Sequence, residues 1–587
     1  MRSAEQVLGI IQERGKRGLP LQDLYRQLYN PNLYLQAYGK IYRNAGAMTK
    51  GATAETVDGM ALSKIKVIID ALRFERYHWT PVRRVYIEKP HSTKVRPLGL
   101  PSWSDKLLQE VMRLLLEAYY EPQFSRSSHG FRPQRGCHTA LSDIYDKWTG
   151  TTWFIGGDIA QCFDSLDHQV LLSILREKIH DGRFLRLIET LLQAGYLKDW
   201  RYHATLSGCP QGSIISPVLA NIYLDKLDTF VETELLPTYT RGHRRRTNPA
   251  YASLQARARR LRRAGQLKQA RQHRRQMQQL PSLDPTDPEY RRIRYLRYAD
   301  DWLIGFIGPR NEAEEIKRRL KEFLREQLRL TLSETKTLLT HARSERARLL
   351  GYEIAVEQAD HKHDWRGHRS INGQIGLRVP KRVIQAKCRP YLQRGKPIHL
   401  RERIDDSAYT IIAQFQQEYR GLVEYYQLAV NCSQLKRLKG VMEQSLTKTL
   451  AHKLRISVPQ VYKRYGTMLE TPKGPRKGLQ VVVERGENKK PLIACWGGIS
   501  LARQSKVILN DQLPFPWSQR SELEKRLLAE TCELCGSHEQ IEVHHIRAPK
   551  PEWVTIMAAR HRKTLITCRK CHHDIHAGRA DGHHLLE

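Results

Sequence analysis

The stretch RRIRYLRYADDWLIGF, Arg291–Phe306, sets two adjacent carboxylates, Asp300 and Asp301, between apolar, β-prone runs. Its flanks predict a β-hairpin with the acids at or near the tip. Desolvating one carboxylate beside another is costly unless a cation lies between them. A second stretch, WFIGGDIAQCFDSLDH, Trp153–His168, delivers Asp158 at the end of an apolar strand, with Phe163 shortly after it. Two strands ending in acids can converge on divalent ions about 3.5–4 Å apart, one activating an attacking hydroxyl and the other the leaving phosphate oxygen. The chemistry this implies is nucleotidyl transfer.

The rest of the chain suits that chemistry. Its 587 residues suffice for several domains, and 98 Lys plus Arg against 61 Asp plus Glu leave a formal charge of +37. Such an excess points to a polyanionic partner, with nucleic acid the natural one. No run of about 18 apolar residues occurs, and the first residues lack an apolar core followed by a small-residue cleavage site. The expectation is a soluble protein without a membrane partner, cytoplasmic in a bacterial or organellar interior and associated with the nucleoid. Of ten cysteines, four form two Cys-x-x-Cys pairs near the C-terminus, which suits a metal site in a reducing compartment better than a disulfide framework.

Residues 1 to about 60 read as helical, and the next 300 or so alternate short β-prone runs with helices. The segment Arg241–Leu280 holds thirteen Lys or Arg and no acid, and its composition favours helix, as in an arm inserted into a domain. Residues 380–465 are again helical and basic. TPKGPRKG, Thr471–Gly478, reads as a linker, because Pro and Gly break both regular structures.

In order along the chain stand KVRPLGLPSWSDKLLQEVMRLLLEAYYEP from Lys94, SSHGFRPQRGCHTAL from Ser127, Asp158 with Phe163, GCPQGSIISPVLANIYLDKLD from Gly208, YADD, LTLSETKTLLT from Leu330 and LLGYEI from Leu349. This series resembles the fingers and palm of a reverse transcriptase, and the YADD form resembles group II intron enzymes. The resemblance covers roughly residues 20–355. It implies that Asp158 and Asp300 bridge two Mg²⁺ ions, with Asp301 facing the other way on an alternating strand and acting from further out. The backbone carbonyl of Ile159 would complete a coordination shell. Phe163 resembles the aromatic gate that leaves no room for a 2′-hydroxyl, implying dNTP over rNTP. Gln211 would contact the incoming nucleotide, Arg96 and Lys94 its triphosphate, and Lys336 the region of the leaving pyrophosphate.

EYRGLVEYYQLA, from Glu418, and SLTKTLAHKLRISVPQVYKRYG, from Ser445, resemble the thumb, or domain X, of group II intron maturases. There Lys448, Lys453, Arg455, Lys463 and Arg464 would track an A-form duplex through its backbone. The region Ala37–Met60 resembles the family's N-terminal extension, which implies a grip on template or intron RNA. The Arg-rich arm falls where family members carry insertions, and arginine's planar fork suits RNA phosphate and bases.

The tail supplies CELCGSHEQIEVHHIRA, from Cys532, and TLITCRKCHHDIHAGR, from Thr564. Cys532, Cys535, Cys568 and Cys571 suit a tetrahedral zinc, with something folded between the two pairs. His572 and His576 share one helix face. The pattern resembles a zinc-stapled HNH endonuclease of the ββα-metal type. That implies His545 polarising water, and His544, His572 and His576 presenting a divalent ion such as Mg²⁺ to the scissile phosphate. His573 is the alternative to His572. Thr564 stands near the place of the pattern's central Asn, one residue short. The segment Trp496–Glu530 resembles the DNA-binding segment that precedes this nuclease.

The fold expected is multidomain α/β and α: a right-hand polymerase of fingers and palm, a helical thumb, and a small ββα-metal domain. Its parts would be an N-terminal extension (1–60), fingers and palm (61–365, with the basic insertion at about 241–290), thumb (366–470), linker and DNA-binding region (471–528) and endonuclease (529–587). The resemblance implies a group II intron-encoded RNA-directed DNA polymerase that assists splicing, performs target-primed reverse transcription and cuts the second DNA strand. Its partners would be intron RNA in a ribonucleoprotein, double-stranded target DNA, an RNA template with a DNA primer, and dNTPs. The rival readings are an RNA-binding maturase without polymerase activity and a reverse transcriptase of a non-intron, defence-type system.

Overall fold

The structure is a computed structural model that describes residues 2–579 apart from 45, 89–94, 200, 206, 210–211, 366–368, 473, 486–489, 507–508, 510–521 and 546–563. At its centre lies an antiparallel sheet with the strand order Arg292–Tyr298, Asp301–Ile307, Trp153–Asp158, Leu338–His341. The middle strands are covered on both faces, which is why WLIGF and WFIGG are continuously apolar rather than alternating. Ile155, Ile304 and Phe306 enter the core shared with the N-terminal helices. Phe154 and Leu303 enter a second core shared with the thumb. Gly157 has a steric reason: a Cβ there would lie 2.1 Å from the indole of Trp302. The fully buried ring therefore crosses the strand immediately before Asp158.

On the finger side, strands Val95–Leu100, Val82–Glu88, Tyr196–Lys198 and Arg201–His203 form a second sheet in that order. The helix Trp103–Tyr120 is buried along nearly its whole length. The N-terminal helices Ala4–Lys16 and Pro31–Ile41 lie against it. The Arg-rich segment forms two helices, Pro249–Arg263 and Leu267–Gln279, in which Ala270 alone is buried. Its base is pinned where the Arg246 guanidinium meets Asp284 at 2.7 Å and the Arg246 N–H donates to Asp287.

The thumb helices are Ala408–Tyr425, Lys436–Leu454 and Val458–Tyr465. Beyond them the structure departs from the expected linker. Gly466–Leu469 pairs antiparallel with Arg476–Val483, which pairs in turn with Leu492–Trp496. Within Thr471–Gly478, Arg476–Gly478 thus open the second strand of a hairpin. Trp496 is buried against Phe415 and Tyr419, and Gln416 exchanges hydrogen bonds with Gly497, so this sheet is part of the thumb's own core.

In the tail, helix Glu522–Leu528 leads to strands Ile541–His545 and Thr564–Cys568, paired antiparallel, and then to helix Arg569–His576. Leu523, Leu527, Val543 and Ile566 join the core of the N-terminal helices, so the tail packs on the opposite end of the chain. Among the described residues no helix is long and apolar enough to cross a membrane.

Candidate active sites in the palm and the tail

The palm hairpin closes in two residues. Tyr298 pairs with Asp301, and Ala299–Asp300 form the turn, with Ala299 at φ 56°. That left-handed residue is supported from outside. A Cβ on Gly130 would lie 2.3 Å from the Ala299 nitrogen, so only glycine lets the HGFRP segment run alongside the turn. The Arg297 N–H donates to the Ser127 carbonyl and the His129 N–H to that of Arg297, fixing the two segments in register.

Beneath the turn lies a polar network that motif reading missed. The fully buried Arg297 guanidinium donates to both carboxylate oxygens of Asp228, at 2.8 and 2.6 Å, to Asn221 and to the Ala299 carbonyl. Tyr295 donates to the same carboxylate at 2.8 Å. Burial alone would lower the basicity of Arg297, but Asp228 holds it above the usual arginine range. A fully satisfied ion pair of this kind fixes the position of the turn carbonyl. The signals were present, Arg297 in RYLRYADD and Asp228 closing LDKLD, but nothing local in the sequence joins them.

Asp158 is the direct cross-strand partner of Asp301. Directly opposed residues share a face, so Asp301 does not face away as strand alternation after Asp300 suggested. The two-residue turn resets the count. Asp300 sits at the tip, where burial and then Asp158 raise its carboxyl above the usual range. Asp301 is pushed up to about 6 by burial, Asp300 and Asp158. Two carboxylates raised in this way beside a third are suited to divalent cations, whose charge would reverse the strain. Oxygen donors of this kind fit Mg²⁺.

Lys336 reaches this group directly, its ammonium contacting Asp158 Oδ2. Arg96, exposed on the finger strand opposite Ile87, is near enough to favour ionised Asp300. The ladder beyond Asp158 uses the Asp158 carbonyl and the Ala160 N–H, leaving Ile159 between these bonds with its own carbonyl turned away from Leu332. Phe163 lies half-buried on the short helix Cys162–Ser165, edge-on to Phe131 with ring centres 6.2 Å apart. Lys94 and Gln211 lie outside the described residues. A cleft of about 750 Å³ opens from Asp158, Asp301 and Lys336 toward Arg346, Arg348 and Arg382.

In the thumb, Lys448 and Lys453 donate to the Pro397 and Ile404 carbonyls, while Arg455, Lys463 and Arg464 are exposed.

The tail presents two clusters. The Sγ atoms of Cys532, Cys535, Cys568 and Cys571 all lie within 4.8 Å of one another. Cys568 also caps the following helix, its sulfur accepting the Cys571 N–H. Four thiols gathered from two knuckles fit a tetrahedral zinc. The second cluster joins His544, His572 and His576 with Asp58, a residue from the N-terminal region to which sequence reading gave no role. His573 is exposed and faces Arg579, so His572 is the member of the cluster.

His545, expected to polarise water rather than to bind the ion, lies beside the cluster and not in it. Neighbouring strand residues face opposite ways, and His545 turns from the cluster to the Tyr38 hydroxyl, 3.0 Å from Nε2. Only its backbone N–H points back, donating to Asp58 Oδ1. Thr564 is its partner across the hairpin.

The electrostatics of the cluster divide its members. Burial, reinforced by His572 and His576, lowers His544 to about 4, so its imidazole is neutral and a free donor of a lone pair. Burial would also lower His572, but bonds to Asp58 and Glu542 raise it to about 9. The Glu542 carboxylate 2.7 Å from His572 Nδ1 is the arrangement that orients a metal-binding imidazole. The buried His544 Nδ1 has no hydrogen-bond partner. Three imidazoles suit zinc or another borderline transition ion better than Mg²⁺, which prefers oxygen donors.

A carboxylate-lined palm with a ββα tail of this composition defines a polynucleotide polymerase joined to a nuclease. The family model for reverse transcriptase (RNA-dependent DNA polymerase) matches residues 87–354, that for type II intron maturase residues 379–487, and that for the AI2M/AI1M-like HNH endonuclease residues 532–572. The group II intron-encoded protein LtrA of Lactococcus lactis subsp. cremoris is 37% identical over 94% of this chain and 95% of its own length. An uncharacterized 91 kDa protein in the cob intron of Schizosaccharomyces pombe is 34% identical over 95% of this chain and 70% of its own. The putative COX1/OXI3 intron 2 protein of Saccharomyces cerevisiae is 30% identical, over 94% and 65% respectively. The chain belongs to the group II intron-encoded proteins: it is a reverse transcriptase and maturase with an HNH endonuclease domain. The combination supports this reading over both rivals.

Proposed function

We propose that this chain binds its intron RNA, assists its splicing, and copies that RNA from a primer end at the target DNA, while the tail cleaves the second strand. The observation that carries the polymerase reading is the meeting of Asp158, Asp300 and Asp301 at one end of a single sheet. Asp158 and Asp300 would hold two Mg²⁺ ions, which when bound supply activation of the primer hydroxyl and stabilisation of the leaving oxygen. Asp301, beside Asp158, adds negative charge that strengthens the site's demand for cations. Lys336 and Arg96 bring positive charge to the same place and would meet the triphosphate. Phe163 would close the space beneath the incoming sugar. Gln211 and Lys94 keep the roles that the family resemblance implies.

In the tail, His544, His572 and His576 would hold a divalent ion against the scissile phosphate. Glu542 would keep the His572 ring in its ligating orientation. The four cysteines would staple the fold with Zn²⁺. The exposed arm and the basic thumb face offer Arg and Lys to RNA phosphates.

Primer extension on an RNA template, with dNTPs and then with rNTPs, tests this reading. Wild-type protein is expected to extend with dNTPs, and Phe163→Val to narrow the ratio of kcat/KM between dNTP and rNTP. No extension on RNA, with splicing assistance intact, would leave the maturase reading alone standing.

A further inference from the structure

We infer that Asp58 is the fourth protein ligand of the nuclease ion, contributed by the N-terminal region, and that it holds the position a DNA phosphate must take. The inference rests on the reading of His544, His572 and His576 as ion ligands.

The distances are those of a coordination polyhedron. Ligands about 2.0–2.1 Å from a tetrahedral ion lie roughly 3.3 Å from one another. Asp58 Oδ2 is 2.9 Å from His576 Nε2, and Asp58 Oδ1 is 3.3 Å from His572 Nε2 and 3.6 Å from His544 Nδ1. His572 Nε2 and His576 Nε2 are 3.2 Å apart. One donor atom from each of the four residues lies within 4.8 Å of the others, close enough to share one ion. The orphaned His544 Nδ1, in a side chain only 7% exposed, is a donor atom of this group that ion binding would satisfy.

Asp58 is delivered by a built contact. The Gly59 N–H donates to the Val543 carbonyl at 3.0 Å and the Val543 N–H to that of Met60 at 2.9 Å, so the N-terminal segment adds itself to the edge of the nuclease hairpin. The His545 N–H donates to Asp58 Oδ1 at 2.8 Å, fixing the carboxylate. On the other side of the hairpin, Tyr38 from the same N-terminal region meets the His545 ring.

Catalytic sites of this kind keep three protein ligands and one open position, whereas four protein ligands close a site. Asp58, anionic and oxygen-donating, resembles a phosphate in both respects. With it in place the ion has four protein ligands, and entry of a phosphate to the ion requires the N-terminal segment to yield. The nuclease would therefore be held closed by the part of the chain that packs against the fingers.

The test is a Co²⁺ titration of full-length protein whose cysteine site is already loaded with zinc, since four-coordinate Co²⁺ absorbs visible light strongly and carboxylate-bound octahedral Co²⁺ weakly. Wild type should develop the strong absorption. Asp58→Asn preserves shape and removes the charge, and it should raise the half-saturating Co²⁺ concentration about tenfold or more. Zinc retained at the cysteines reports that the tail is folded. Nicking of duplex DNA at saturating divalent ion should be faster than wild type in Asp58→Asn, because the position it leaves is open to phosphate. His576→Ala separates the two levels of the argument. If it abolishes the absorption while Asp58→Asn leaves both affinity and absorption unchanged, Asp58 is no ligand and the inference falls. If neither variant changes the titration, the three-histidine reading falls and takes the inference with it. A nicking rate at or below wild type in Asp58→Asn at saturation would show that phosphate does not take its place.

Discussion

The palm and the tail each gather acids or histidines around a place for cations, but they do so from different distances along the chain. In the palm, Asp158 and Asp301 sit on strands that pair with one another, Asp300 lies in the adjoining turn, and sheet register brings them together. In the tail, the hairpin and helix supply three histidines, and the fourth member, Asp58, bonds His576 across 518 positions. The palm is a site that its own sheet completes. The tail is a site completed by docking. The first is rigid wherever the sheet is formed, and the second exists in full only while the two ends of the chain are packed together.

The largest effect expected is in the palm. Asp158→Asn should reduce RNA-templated DNA synthesis by about a thousandfold or more, since loss of metal-centred charge stabilisation costs several kcal/mol in the transition state. RNA binding, measured by filter retention, should be nearly unchanged. Second-strand nicking by the same preparation should persist at the wild-type rate, and a parallel loss of nicking would break the separation of the two centres.

Cys568→Ser is the reciprocal lesion. Structural zinc binding is largely folding free energy in a small domain, so metal analysis should show zinc lost and nicking lost with it. Primer extension from a supplied primer should continue. Because Val543 and Ile566 belong to the N-terminal core, the melting temperature of the whole chain should also fall, which a free-standing tail would not cause.

Arg297→Met tests the support beneath the palm turn. It leaves Asp228 buried without its cation, a change that costs about 3–5 kcal/mol. Denaturant unfolding should register that loss, and synthesis should fall while nicking at the permissive temperature does not. Unchanged stability would mean that the turn is held by the hairpin alone.

The smallest effect belongs to neither centre. Replacing Arg257, Arg259, Arg260, Arg262 and Arg263 by Gln should weaken binding to structured RNA and flatten its salt dependence, because fewer counterions are released. Equal salt slopes in variant and wild type would remove RNA from the role of the arm.

The same contrast decides what could be read from the amino-acid sequence. The palm acids were legible because they lie where apolar strands end or turn, Asp158 at the end of one strand and Asp300 with Asp301 at the tip of a hairpin. The cysteine and histidine spacing was legible as well. Asp58 was not, since TAETVDGM carries no metal pattern and acquires its meaning only by adding to the edge of a strand near the other terminus. Arg297 and Asp228 were invisible as a pair because helix and strand meet only in the folded core. Thr471–Gly478 misled because Pro and Gly mark a hairpin turn as readily as a linker; the paired strands on either side distinguish the two. Asp301 misled because alternation was counted through a turn.

The account stands most directly on the ions of the palm. The decisive measurement is an anomalous-scattering map of wild-type protein crystallised in Mn²⁺ with an RNA template, a DNA primer lacking its 3′-hydroxyl, and the matching dNTP. Two peaks about 3.5–4 Å apart, each in contact with the carboxylates of Asp158 and Asp300, are predicted. A nucleotide seated beside Phe163 with no ion touching either aspartate would contradict the account.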